Sequence, residues 1–220
     1  MPTEHHLTIP RSARYFTLGE AVTSPGEIWM VCHGYGQLAE PFLDTFAPLA
    51  DGTRLIVAPE GLSRFYLEPG SHGPQSMVGA SWMTREDRLS EIDDYVRYLD
   101  AVFEAACRPV DRAGAKLTVL GFSQGTATAS RWAMRGKPRV DRLVLWGGLL
   151  PPDVEPSAQR RALNACDLVL LAGDRDEYAT PDRLAGQRAA LDAAGVRYRH
   201  ITFEGGHRID DAALRELVAP

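Results

Sequence analysis

Short apolar runs alternate with segments of helical period along this chain. Glu27–Cys32 ("EIWMVC"), Arg54–Pro59 ("RLIVAP"), Lys116–Leu120 ("KLTVL"), Arg142–Gly147 ("RLVLWG") and Asp167–Gly173 ("DLVLLAG") are nearly continuous in apolar residues. Strands buried on both faces of a parallel sheet have this pattern, whereas half-exposed strands alternate. Val196–Phe203 ("VRYRHITF") does alternate and suits a strand near the sheet edge. Ala13–Gly19 is expected to form an antiparallel strand ahead of the parallel ones. In Thr84–Cys107, the residues Leu89, Ile92, Val96, Leu99, Phe103 and Ala106 step by three and four, which predicts one helix with a single apolar face. Thr84 and Asp87 are its expected N-terminal cap. Thr180–Gly195 predicts a second helix, and Asp210 or Asp211 starts a short last one. Such alternation implies an α/β fold: a mostly parallel sheet with helices on both faces, in one domain spanning 1–220. Ligands of open sheets bind at the carboxyl ends of the strands, so chemistry is sought there.

Composition narrows the field of functions. With 45% hydrophobic residues, 220 residues suffice for one full core. A net charge of −5 with no basic cluster excludes a phosphate-backbone partner. Three widely spaced cysteines, Cys32, Cys107 and Cys166, fit reduced thiols rather than a disulfide framework or zinc knuckle. No apolar stretch has the length of a signal peptide or a membrane span, so a cytoplasmic, soluble protein is expected, a monomer or homodimer.

Ser123 directly follows the "KLTVL" strand in "GFSQG", flanked by Gly121 and Gly125. In a nucleophile elbow the chain reverses so sharply from strand to helix that residues two positions away must be tiny. Taking roughly 7% glycine and a similar serine share, GxSxG arises by chance about once in fifteen chains of this length. The preceding strand and following helix sharpen the signal.

A serine nucleophile needs a base and the base an orienting acid. His207, in "EGGHRI", stands just past the last strand, whereas His5 and His6 lie near the terminus, His72 in a Gly/Pro loop and His200 within a strand. The loop "GDRDEYATP" offers Asp174, Asp176 and Glu177; Asp176 is favoured over Asp174, which can instead shape the turn. The order serine, acid, histidine is that of the nucleophile-elbow hydrolases. For an oxyanion hole, the amide of Gln124 supplies one donor. The turn "HGYG" after the first parallel strand can present the Tyr35 amide, or be a plain glycine turn. His33 is expected to hold that turn in shape.

Together "VCHGYGQ", "GFSQGTATA", "GDRDEYATP" and "EGGHRI" resemble the phospholipase/carboxylesterase group of α/β-hydrolases, which includes acyl-protein thioesterase-like enzymes. The resemblance spans Glu27 to the C-terminus. It implies Ser123 as nucleophile, Asp176 as acid, His207 as base, Tyr35 and Gln124 as backbone donors, and a serine esterase needing no metal or cofactor. The chain departs from the better-known members over Glu60–Met83, where aromatics, Met and turn residues follow no clear period and an irregular loop near the site is expected. Phe65, Tyr66, Met77 and Trp82 there either line an acyl pocket or cover the core, and Leu149 or Leu150 adds apolar wall. A carboxylesterase for small or medium-chain esters is the first expectation. A thioesterase or lysophospholipase on the same triad, a dienelactone-hydrolase-like reaction, and a non-catalytic ligand-binding protein of the same fold are the alternatives.

Overall fold

The computed structural model describes residues 1–18, 23–68, 70 and 73–218. Seven strands form the main sheet: β1 (Tyr15–Leu18), β2 (Glu27–Cys32), β3 (Arg54–Pro59), β6 (Lys116–Phe122), β7 (Arg142–Trp146), β8 (Asp167–Gly173) and β9 (Arg199–Phe203). Their order is β1-β3-β2-β6-β7-β8-β9, with β1 antiparallel to β3 and every other pair parallel. The continuous apolar runs are thus the inner strands, and the alternating run is an edge.

Successive strand residues point to opposite sides, so each run feeds two cores. Met30, Val119, Leu143, Leu145 and Leu170 meet helices on one face, α2 (Arg88–Cys107), α3 (Gln124–Arg135), α4 (Pro156–Leu163) and α5 (Pro181–Ala193). Trp29, Val31, Leu120, Val144 and Leu171 meet α1 (Ala39–Asp44) and α6 (Asp211–Val218) on the other. Among the described residues no helix is long and apolar enough to cross a membrane. All three cysteines are free.

Three expectations are corrected. Helix α2 begins at Arg88, not Thr84, because Asp87 adopts a left-handed conformation (φ 44°) that ends helical continuity and makes no side-chain cap. Thr84 instead donates its amide to Glu91 at 2.6 Å, one turn inside the helix. Leu89, placed on the apolar stripe by spacing, is exposed, since the first turn overhangs the core. The segment Glu60–Met83 is not an irregular loop throughout: β4 (Ser63–Tyr66) and β5 (Val78–Ser81) pair as an antiparallel ribbon. His72 lies outside the described residues.

Candidate active site

The strand-to-helix junction is tight. A side chain on Gly121 would overlap the Gly125 carbonyl, and one on Gly125 would overlap the carbonyl of Cys32. Glycine at both positions lets β6 turn directly into α3, and Ser123 at the corner is forced to φ 54°, ψ −117°. A non-glycine residue held there costs ~1–3 kcal/mol, which surrounding contacts must offset. They do: the Ser123 amide donates to Trp146 O at 2.9 Å, and its carbonyl accepts from the Thr126 amide at 3.0 Å and hydroxyl at 2.7 Å.

His207 leaves the turn after β9 with its ring between Phe122 and Tyr178, each at a centroid distance of 4.6 Å. Phe122 is the residue before Ser123. The gap between serine and imidazole is bridged by consecutive glycines. A Cβ on Gly147 would stand 3.0 Å from His207 Cε1, and one on Gly148 would stand 2.8 Å from the Ser123 carbonyl oxygen. His207 Nδ1 is 2.8 Å from Asp176 Oδ2. Asp176 is buried, and its Oδ1 accepts the amides of Tyr178 and Ala179, both at 2.8 Å. With Nδ1–H donating to that carboxylate, Nε2 carries the lone pair. Among the described residues neither Ser123 Oγ nor His207 Nε2 has a hydrogen-bond partner, so both remain available to a ligand. Asp174 acts on the backbone instead, where its Oδ1 accepts the Gly205 amide at 2.8 Å and shapes the turn that delivers His207.

Three amides of the turn after β2 have acceptors. The Gly34 amide donates to Gln37 Oε1 at 2.7 Å, Gly36 to Ala80 O at 2.9 Å and Gln37 to Gly34 O at 3.2 Å. The Tyr35 N–H has no acceptor among the described residues, nor has that of Gln124 at the start of α3. His33 is fully buried, its Nδ1 bonded to Gly34 O at 2.7 Å and its Nε2 accepting the Gly61 amide at 2.9 Å. Burial holds its pKa below the ordinary histidine value, and the ring is neutral.

A cleft of about 550 Å³ opens beside Ser123. Leu149 lines it together with Leu150, Pro151 and Tyr178. Phe65, Tyr66, Met77 and Trp82 do not. Phe65 stacks on Tyr35 at 5.2 Å, Tyr66 and Met77 are exposed on the ribbon, and Trp82 is buried in the core. The Trp82 indole N–H donates to His33 O at 2.8 Å, so it braces the turn from behind. The Gln124 side chain adds a second brace, accepting the Trp82 amide at 3.1 Å and donating to Met83 O at 2.9 Å.

Sequence reasoning missed the far wall of the cleft. Gln124, Ala127, Thr128 and Arg131 recur at three- and four-residue steps on α3, and all line it. That spacing was visible in "QGTATASR" as a stripe continuing from the nucleophile. Arg131 is buried yet charged, bonded through two nitrogens to Asp153 at 2.6 and 2.8 Å and to the Tyr95 hydroxyl at 3.1 Å. The Arg131 hydrogen bonds hold the Asp153 carboxyl down to about 2. Among the described residues no three His, Cys, Asp or Glu side chains group as a metal site.

Neither a protein-family profile nor a curated protein sequence matches the chain. Solved structures do. It superposes on esterase PE8 with a TM-score of 0.69 at 19% identity, covering 94% of this chain and 96% of that one. Acyl-protein thioesterase 2 of Zea mays gives 0.69 at 18%, covering 94% and 98%. A Bacillus cereus carboxylesterase gives 0.63 at 16%, covering 93% and 91%. Over 94% of its length, this chain has the α/β-hydrolase fold.

Proposed function

We propose that this protein is a serine carboxylesterase of the phospholipase/carboxylesterase family, hydrolysing small to medium-chain carboxylic esters through an acyl-enzyme. The observation that carries this reading is the 2.8 Å bond between His207 and Asp176, with the imidazole laid against Phe122, the neighbour of Ser123. His207 Nε2 takes the Ser123 proton as Oγ bonds to the ester carbonyl carbon. The carbonyl electrons move onto oxygen, which the Tyr35 and Gln124 amides receive. Collapse of that oxyanion breaks the bond to the alcohol oxygen, and the proton on His207 goes to the departing alcohol. Water then repeats the sequence with His207 as base, releasing the carboxylic acid and restoring Ser123. Asp176 keeps its negative charge throughout and steadies the imidazolium. The Oγ–Nε2 hydrogen bond forms when substrate fills the site, since catalytic hydrogen bonds are often long or misaligned in the free enzyme.

Thioester hydrolysis on the same groups is the second reading, favoured by the Zea mays thioesterase, which superposes as well as the esterase does. Purified protein is tested on p-nitrophenyl esters and matched thioesters. Ser123→Ala is expected to lower kcat/KM about 10⁶-fold and to abolish labelling by a fluorophosphonate. Undiminished hydrolysis in that variant defeats the proposal, and a wild-type protein that neither hydrolyses nor labels would be the binding protein instead.

A further inference from the structure

The cleft beside Ser123 mixes two kinds of lining. Met83, Leu149, Leu150 and Tyr178 give it apolar wall, whereas Thr128, Arg88, Arg131 and Arg183 give it hydroxyl and guanidinium groups. The α3 stripe sets the scale, because a rise of 1.5 Å per residue carries Arg131 about 10 Å along the axis from Gln124.

Two features of the polar part are unbalanced. Thr128 is 1% exposed, and its hydroxyl has no hydrogen-bond partner among the described residues. Buried hydroxyls without partners are rare and call for an acceptor. Charge is also uncompensated. Asp153 serves two guanidinium groups, Arg131 at 2.6 Å and Arg88 at 3.1 Å. The Arg183 guanidinium donates to the Tyr178 carbonyl, and no carboxylate pairs with it among the described residues. Three arginines therefore face one carboxylate in a chain whose net charge is −5. Among the described residues no carboxylate lines the cleft, and Asp176 is buried and turned to His207.

The orientation of a substrate follows from proton transfer. The leaving alcohol must lie at His207, which hands it a proton, and His207 does not line this cleft. What remains for the cleft is the acyl chain.

We propose that the cleft accepts an acyl chain ending in a carboxylate, so that the preferred substrate is a monoester of a dicarboxylic acid, its methylenes along Leu149 and Leu150 and its terminal anion at Arg183, Arg88 and Thr128. This rests on Ser123 being the nucleophile of an esterase. Guanidinium forks match carboxylates in two-point geometry, and an apolar spacer before them selects chain length.

The test pairs p-nitrophenyl monoesters of adipic, suberic and sebacic acids with methyl-terminated p-nitrophenyl esters of equal chain length. At low ionic strength the charged member is expected to win by roughly tenfold in kcat/KM, the scale of a hydrogen bond to a charged group. The advantage resides in KM and shrinks as salt is raised. Arg183→Gln and Arg88→Gln each lower the charged-to-neutral ratio, and Thr128→Val lowers it less. Arg183 is exposed, so its replacement leaves folding intact, and melting curves check this for all three variants. A ratio at or below one for every length overturns the inference, as does a ratio unmoved when Arg183 and Arg88 are both replaced. In either case continued hydrolysis of the neutral esters leaves the esterase reading standing. Failure to hydrolyse either series, with no fluorophosphonate labelling, defeats both.

Discussion

Two histidines follow strands of the same sheet at its carboxyl edge, and they are built for opposite ends. His33 is fully buried against Trp82, 5.0 Å away, and both ring nitrogens are occupied by backbone groups. His207 has one nitrogen held by Asp176, and the other has no hydrogen-bond partner among the described residues. The contrast shows that position at a strand end does not make a base. A base needs one nitrogen fixed and the second left open, which is the arrangement behind the role we propose for His207.

Replacing each in turn separates the roles. His207→Ala is expected to lower kcat/KM about 10⁶-fold, as loss of a triad histidine does, with little change in melting temperature. His33→Ala strands the Gly61 amide and Gly34 carbonyl, so a stability loss of about 1–3 kcal/mol is expected by urea unfolding. Equal catalytic loss with equal stability in both variants would erase the distinction. The neighbouring carboxylates sharpen it further. Asp176→Asn is expected to slow turnover about 10⁴-fold, since an amide favours the wrong imidazole tautomer. Asp174→Asn loosens only a turn and stays within about tenfold of wild type. Steady-state rates with both variants decide, and the reverse ranking moves the acid upstream.

The smallest expected effect is on stability against pH. Burial depresses the pKa of His33 in the folded protein, so the unfolded chain takes up a proton first. The His33 contribution is therefore complete above the unfolded value of about 6.5 and declines as pH falls from there towards the folded value. Urea midpoints from neutral to mildly acidic pH are expected to fall in the wild type and to fall less steeply in His33→Gln. Parallel slopes would mean that His33 is not the group responsible.

The parallel strands were legible because burial on both faces leaves little but apolar residues in each run. Ser123, Asp176 and His207, the triad we propose, could be singled out because each carries a local signature, and the structure sets His207 Nδ1 2.8 Å from Asp176 Oδ2. The ribbon was not, because Val78–Ser81 is mostly small residues whose pairing depends on β4 and on the turn after β2. Helices α1 and α4 were missed for a related reason: each is short and carries a proline, Pro41 or Pro156, that reads as a break. Trp82 was assigned to a pocket or to the core on composition alone. Its indole bond to His33 is a contact between distant residues that no local pattern carries. The polar lining of the cleft was hidden likewise, since Arg88, Arg131 and Arg183 come from three different helices.

The Tyr35 turn is hemmed to the ribbon on both sides, Gly36 N–H to Ala80 O at 2.9 Å and Ala80 N–H to Gln37 O at 3.1 Å. The fit leaves no slack: a methyl on Gly79 would run into the Gly36 carbonyl. Strand pairing thus sets the direction of the Tyr35 amide, the donor we propose for the oxyanion. Position 79 therefore tolerates nothing larger than hydrogen.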